Sequence, residues 1–367
     1  MSSLNYASSK KVSKKHYFFT FSLRKNAISI IFVLFTLCLV LFSRTNLTAA
    51  KNGLKLWANN VVPSLFPFFI ATNLLGYTNV IKYISKFCNK FMRPIFNVPG
   101  ESAYAFILGL ISGYPVGAKI VTDLRNQNLC TKDEGERMLC FTNNSGPLFI
   151  IGTVGITLFG SSSIGILLLV THVLAAITVA ILLGIFSRIR KTKNVSEKFM
   201  KKNLSQNSKQ DLCTFSNLGE VLSTAILDSS KTIIMIGGFV VIFSVIISIL
   251  ENSKLLNLLS IIIMPICKAF NISSSFASPI ISGLIELTNG VSIIASIPNK
   301  AISVNIILSA FLLGFGGISV LLQVLSITSK SDLSIKKYII GKLLQGIIAM
   351  TYTYILLSVF PILNLNL

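Results

Sequence analysis

Long apolar runs, separated by short polar segments, occupy most of this chain. With some allowance for tilt, each run can supply the roughly 20 residues that a helix needs to cross a bilayer. The pattern therefore predicts an all-α polytopic membrane protein with about seven spans. The predicted spans are 27–42, 61–80, 142–160, 163–187, 231–250, 303–327 and 338–362.

Two further apolar segments, 101–121 and 276–298, are interrupted by glycine, proline and polar residues. Irregular backbone at membrane depth is tolerated only inside protein or beside a watery cavity. We therefore predict two re-entrant hairpins, each of which returns to the side of the membrane from which it entered.

The composition agrees with this pattern. Of 367 residues, 52% are hydrophobic and 12% are charged, and the charged share is about half that of a soluble domain. Mean hydropathy is +0.75. Such a chain cannot cover its surface with polar groups in water, so the lipid bilayer is its first expected partner. Disordered, collagen-like, coiled-coil, disulfide-rich secreted and most soluble enzyme classes are excluded.

The charge is strongly basic, with 33 Lys and Arg against 12 Asp and Glu. The basic residues lie in short segments between apolar runs, where cytoplasmic loops collect positive charge, so no nucleic-acid partner is expected. The six cysteines have no paired or CxxC spacing, and no catalytic motif is present. We therefore expect no metal, no cofactor and no enzymatic activity.

Charge counting gives a topology. The tail 1–26 has six Lys or Arg and the segment 188–209 has eight, so both are predicted to be cytoplasmic. Four predicted spans separate them, an even number, which agrees only if 101–121 returns to its own side. Residues 47–49 resemble a signal-peptide cleavage site, but Arg44 interrupts the end of the first run, so an uncleaved first span is preferred.

The remaining chain follows one plan twice: a span, an amphipathic segment, a hairpin and two spans. The first copy starts outside and ends inside, and the second does the reverse, as in secondary transporters built from inverted repeats around a midplane site. The predicted units are a basic cytoplasmic tail (1–26), a first span and connection (27–60), the first repeat (61–187), a basic cytoplasmic linker (188–226) and the second repeat (227–367).

The first hairpin is the richest in candidate chemistry. Pro115 lacks an N–H and disfavours helix at Tyr114, which frees backbone groups beside Ser112 and Tyr114 to line a polar pocket. Glycines at every fourth position allow close approach of a neighbouring helix. Lys119 either binds an anion or extends its ammonium group to the cytoplasmic surface.

A polar cluster, Asn143, Asn144 and Ser145, opens the next span. If it begins a helix, the free N–H groups and the dipole would attract a substrate carboxylate. The alternative is an ordinary capped loop.

In the second hairpin, Glu286 is the only acid well inside an apolar segment, and Asn289 follows it. A buried carboxylate is costly, so Glu286 is a functional candidate as a partner of Lys119, a proton or cation coupling site, or a substrate hydrogen-bonding group. Asn289 joins the candidate substrate-binding set. His172 and Gln323 are predicted to form hydrogen bonds between helices, and for His172 the alternative is a proton relay.

Three motifs, PSLFPFF at 63–69, SGYPVGAK at 112–119 and FTNNSGPLF at 141–149, together resemble the YlbJ-type sporulation integral membrane proteins. The resemblance covers roughly residues 50–360. The core of that family is similar to the nucleoside-recognition, or Gate, domain, which is related to concentrative nucleoside transporters. It implies an endospore-forming bacterium, the outer forespore membrane, and passage of dipicolinic acid from the mother cell toward the spore.

Dipicolinate is a flat aromatic dianion, and Tyr114, Lys119 and the helix start at 143–146 match its needs. Glu286 would repel it unless neutral or paired, which favours proton coupling. A cation-coupled nucleoside carrier is the second hypothesis. The third is a structural membrane protein that recruits cortex or coat factors through its basic loops. Further expected partners are other copies of the chain or other sporulation membrane proteins.

Overall fold

The computed structural model describes residues 26–190, 215–298 and 302–359. Every regular element in these ranges is helical, which confirms the predicted all-α class. π-Helical turns occur at Trp57–Val61, Met92–Phe96 and Leu148–Leu158. The helices are α1 (Asn26–Leu41), α2 (Ser43–Leu56), α3 (Val62–Gly76), α4 (Val80–Phe91), α5 (Ser102–Ser112), α6 (Val116–Asn126), α7 (Lys132–Thr142), α8 (Ser162–Arg190), α9 (Leu218–Asn252), α10 (Leu255–Ala269), α11 (Ala277–Ile285), α12 (Leu287–Ser296), α13 (Ile302–Phe315), α14 (Gly317–Thr328) and α15 (Lys336–Val359).

Fewer helices than predicted are long and apolar enough to cross a membrane. In the described ranges there are four, or five if α1 and the following helix, bent by 98°, count as one span. The predicted spans 61–80 and 142–160 account for the difference. The first lies in a helix that already begins at Ser43 and passes through a π turn, and the second opens with a non-helical stretch.

Both predicted hairpins are present as pairs of short helices. The first consists of α5 and α6, broken between Gly113 and Pro115, and the second of α11 and α12, broken at Glu286. The span predicted at 303–327 is also broken, at Gly316, whose φ of 86° lies in the left-handed region that favours glycine. Each repeat therefore contains helices that are broken within an apolar segment.

The order of elements repeats along the chain. Leu218, Leu255 and Ala277, the first residues of α9, α10 and α11, each lie 175 positions after the first residues of α2, α4 and α5. The repeating unit thus starts with α2, before the predicted start at 61. The tail 1–25 and residues 191–214 of the predicted linker lie outside the described residues.

Glycines let the first hairpin approach α7 closely. A Cβ atom at Gly109 or Gly117 would overlap the carbonyl oxygen of Thr142, the last residue of α7. The predicted glycine face is therefore confirmed as a backbone-to-backbone contact. It holds the hairpin break next to the break that follows α7.

Ion pairs join the two repeats at one end of the molecule. Arg125, at the end of α6, donates two hydrogen bonds to Asp332 (2.8 and 3.0 Å), and Lys337 bridges Asp133 (2.7 Å) and Glu136 (2.9 Å). The predicted topology, which counts 61–80 and 142–160 as crossings, assigns both partner loops to the same side of the membrane. Their contact agrees with a first hairpin that returns to the side from which it entered.

We expect Gly109→Ala and Gly117→Ala to destabilise the protein by about 1–3 kcal/mol or more, because an added methyl group overpacks a backbone contact. Gly238→Ala is the matched control, since no atom lies within 4 Å of its added Cβ. That change should be neutral or stabilise by up to about 1 kcal/mol through helix propensity. Thermal unfolding in detergent would measure the difference, and equal melting temperatures for all three variants would contradict the contact.

The Arg125–Asp332 pair should make stability depend on acid pH. The hydrogen bond from Arg125 holds the pKa of the Asp332 carboxyl below its ordinary value. Such a group stabilises the fold above its unfolded pKa, and this contribution disappears as the pH falls through the lower folded pKa. Because both side chains are partly exposed, the contribution is at most about 1 kcal/mol.

Asp332→Asn should therefore lower the melting temperature slightly at pH 7 and have no effect at strongly acid pH. Asp228→Asn is the control, because the pair of Asp228 with Lys231 lies within α9 and joins no two elements. A loss of stability in Asp332→Asn that is equal at both pH values would show that the charge of Asp332 is not responsible.

Candidate functional site

The helix breaks of both repeats meet around a small central cavity of about 70 Å³. Its wall is mostly apolar, with a few polar side chains and exposed backbone, as is usual for a small-molecule site. One carboxyl group, that of Glu286, faces it. The lining residues are Val61, Leu65, Gly113, Tyr114, Ser145, Gly146, Phe149, Ile236, Val240, Glu286, Leu287, Thr288, Ser319, Val320 and Gln323.

Four helices begin at this cavity: α6, the π helix Leu148–Leu158, α12 and α14. The N-terminal end of a helix carries unpaired N–H groups and a partial positive charge. Four such ends directed at one small space make it favourable for negative charge. The residues of these helix starts that line the cavity are Gly113, Tyr114, Ser145, Gly146, Leu287, Thr288 and Ser319.

Glu286 caps one of these ends with its own side chain. It is 4% exposed, and its two oxygens accept hydrogen bonds from the backbone N–H groups of Thr288 (3.1 Å) and Asn289 (2.8 Å). The structure contains no ion pair between Glu286 and Lys119. Of the three predicted roles, the pairing with Lys119 is therefore absent from this conformation, and coupling and substrate contact remain.

Tyr114 forms part of the wall between the repeats. Its hydroxyl donates to the carbonyl oxygen of Leu313 in α13 (3.2 Å). A Cβ atom at Gly316 would lie 2.9 Å from the same hydroxyl. The tip of the first hairpin thus packs directly on the break between α13 and α14, and this contact needs glycine for space as well as for conformation.

The predicted polar cluster divides into two parts. Ser145 lines the cavity. By contrast, Asn143 donates to the Tyr338 hydroxyl (2.9 Å) and Asn144 accepts from the Gln345 amide (2.9 Å). Both asparagines are fully buried and fasten the α7 break to α15, so in this conformation they hold the site rather than face its cavity.

The buried cation of the site is one that the predicted set omitted. Lys342, on α15, is 1% exposed. Its ammonium donates to the carbonyl oxygen of Asn143 (2.9 Å) and to Gln345 Oε1 (2.7 Å). It also lies 5.3 Å from the centre of the Tyr114 ring, within the range of a cation–π contact. Because Lys342 lies inside the predicted span 338–362, the rule that flags intramembrane charges would have found it.

The other predicted residues lie outside the cavity wall. Lys119 is half-buried on α6, one turn before Asp123, and Ser112 is buried at the end of α5. Asn289 donates to Ser244 of α9 (3.2 Å). These positions leave their predicted contact with substrate untested.

Two predicted helix–helix hydrogen bonds need revision. Gln323 lines the cavity. His172 is buried in α8, yet neither ring nitrogen has a hydrogen-bond partner among the described residues, so the bond predicted for it is wrong in this conformation. Among the described residues, no group of three or more His, Cys, Asp or Glu could hold a metal ion.

Two broken hairpins, two broken helices and a cavity between them are features of the membrane folds on which secondary transporters are built. Solved structures of CNTnw share this fold. A variant in an intermediate state matches with a TM-score of 0.53 and 14% identity over 90% of this chain and 86% of that one. A substrate-bound inward-facing state gives 0.50 and 14% over 89% and 85%. At such identities the likeness shows the fold alone.

Sequence comparison gives the family. Residues 58–192 and 233–331 match the Gate family, described as nucleoside recognition. The sporulation integral membrane protein YlbJ of Bacillus subtilis (strain 168) is 34% identical over 330 residues, which cover 89% of this chain and 81% of that protein. The chain therefore belongs to the YlbJ family of sporulation integral membrane proteins, which carry the Gate domain.

Proposed function

We propose that this protein is a secondary carrier or facilitator that moves a small aromatic dianion, dipicolinic acid, from the mother cell toward the forespore. The observation that carries the proposal is the convergence on one apolar cavity of three helix N-termini, those of α6, Leu148–Leu158 and α14, that have no acidic residue in their first turns. Their N–H groups suit carboxylates, while the side chains of Leu65, Phe149 and Val240 suit a ring. The name of the Bacillus subtilis relative supports the link to sporulation.

In this conformation the cavity is too small for the proposed substrate. A cavity of about 70 Å³ holds only a few water molecules, and an aromatic dicarboxylate is larger. The hairpin tips at Tyr114 and Glu286 must therefore separate for substrate to enter. Hairpins of two short helices suit this movement, since each is joined to its neighbours by short connections rather than by a continuous span.

Glu286 is proposed to couple transport to protons. An ionised carboxylate on the cavity wall would repel a dianion at close range, because charges interact strongly where water is scarce. Protonation of Glu286 removes the repulsion, and the substrate would then bring a proton with it. Ser145, Tyr114 and Thr288 are the proposed polar contacts to substrate.

The site is proposed to act in the outer forespore membrane, with the N-terminal tail in the cytoplasm. The partners would be the bilayer, a small anionic substrate, and either further copies of the chain or other sporulation membrane proteins. Transport by this route involves no catalytic step on the substrate.

A cation-coupled nucleoside carrier is the second candidate. The description of the matched family as nucleoside recognition and the shared fold of CNTnw favour it. Uridine and sodium therefore belong in the first experiment. A nucleoside carrier would be stimulated by a cation gradient and would accumulate uridine.

The test is uptake of labelled dipicolinate into liposomes that contain the purified protein. We expect saturable uptake, accelerated by an inward proton gradient and unaffected by excess uridine. Uptake of uridine without dipicolinate would establish the nucleoside carrier instead. Uptake of neither compound by folded protein would contradict transport of either substrate and favour the recruiting role.

Glu286→Gln tests the coupling role. The neutral amide keeps the size of the side chain, so substrate should still exchange across the membrane, but uptake should fall to the level seen without a proton gradient. Glu251→Gln is the control, because that acid is exposed at the end of α9. A Glu286→Gln variant that still responds fully to the gradient would remove Glu286 from the coupling step.

A further inference from the structure

We propose that Lys342 is a tethered cation that occupies the position of a coupling sodium ion at the α7 break, so that the transport cycle requires no sodium. The inference rests on the proposed function only in assuming that the protein is a transporter. It does not depend on which substrate is carried.

The ammonium of Lys342 contacts atoms of the kinds that bind metal cations in proteins. It contacts a backbone carbonyl oxygen of Asn143 at 2.9 Å, the amide oxygen of Gln345 at 2.7 Å and the face of the Tyr114 ring. Oxygen atoms of this kind are the ligands that hard cations take in proteins. Within the described part of the chain, no carboxylate forms an ion pair with Lys342.

Lys342 contacts the backbone at the C-terminal end of α7, which is the part of a broken helix that attracts cations. The helix α7 ends at Thr142, and Asn143 has extended dihedral angles, so its carbonyl oxygen points away from the helical ladder. The C-terminal end of a helix carries partial negative charge. In secondary transporters, unwound carbonyls and half-helix C-terminal ends coordinate the coupling sodium ion or proton.

Hydrogen bonding alone does not explain why a lysine, rather than a neutral side chain, occupies position 342. An ammonium without a counter-ion is expensive in a membrane interior, whereas a neutral amide could donate to the same two oxygens. A protonated Lys342 would stabilise the C-terminal end of α7 and interact favourably with the Tyr114 ring. One cation thus links α15, the α7 break and the tip of the first hairpin.

The surroundings contain no acid that would make this an ordinary buried ion pair. The titratable side chains close to Lys342 are Tyr114 of the first hairpin, Cys140 of α7, His172 of α8 and Tyr338 of α15. Neither α13, which packs against α15, nor the π helix Leu148–Leu158 has a titratable side chain. Lys342 is therefore the source of positive charge at this break.

Sodium binding and thermal unfolding of purified full-length protein would test the inference. In wild type, melting temperatures in sodium chloride and in choline chloride should be equal, and labelled sodium should not bind. In Lys342→Ala, the vacated oxygens should bind about one sodium ion per chain, and sodium chloride should raise the melting temperature relative to choline. Propylammonium, which restores the missing amine, should also stabilise this variant but not wild type.

Lys119→Ala is the matched control, since it removes a half-buried lysine of α6 that lies outside the cavity wall. It should acquire no response to sodium. Specific, saturable sodium binding by wild type would overturn the proposal, and so would a folded Lys342→Ala protein that ignores both cations. If Lys342→Ala folds poorly in choline, the proposal expects sodium or propylammonium to restore folded protein during purification, and recovery with neither would also overturn it.

These readouts need no transported substrate, so they remain decisive even if the liposome experiment finds no dipicolinate uptake. A purely structural lysine would lower the melting temperature of Lys342→Ala in every salt alike. A sodium-specific gain separates the two roles.

Discussion

A backbone polar group at membrane depth must find its hydrogen-bond partner inside the protein, and this constraint shapes the centre of the molecule. Helices are interrupted at Gly113–Pro115, after Thr142, at Glu286 and at Gly316, and each interruption frees N–H or C=O groups. The structure gathers the four breaks around one cavity, where they can serve one another. Tyr114 of the first break donates to Leu313 beside the fourth.

Small residues make this gathering possible. The backbone of the first hairpin touches the end of α7 only because Gly109 and Gly117 have no side chain, and Tyr114 fits against the α13 break only because Gly316 has none. Polar side chains then take up the freed groups: Glu286 accepts from the start of α12, and Lys342 donates to the Asn143 carbonyl. The close packing and the hydrogen bonding of the freed backbone groups therefore depend on each other. Loss of either would leave backbone groups without partners inside the membrane.

Hydrophobic pattern alone predicted the class, both hairpins and a buried acid at Glu286, because apolar length and a lone intramembrane acid are local signals. It did not predict the interruption in 142–160, since an apolar run does not show that four residues at its start are unwound. It named Lys119 as a candidate cation and did not consider Lys342, which the structure buries beside the site. Lys119 lies close to the conspicuous SGYP motif. The burial of Lys342, by contrast, depends on partners at the α7 break, about 200 positions away in the sequence, and a local sequence pattern carries no information about such contacts.

The two buried charges of the site neutralise opposite ends of helices instead of each other. The carboxylate of Glu286 compensates the positive end of α12, and the ammonium of Lys342 compensates the negative end of α7. The starts of α6, of Leu148–Leu158 and of α14 have no acidic residue in their first turns. The partial positive charge of these three helix starts is therefore not offset by a local acid, whereas the start of α12 is capped by Glu286. The proposed function uses this division: an anion would be attracted to the three uncapped starts, and protonation of Glu286 would control its binding.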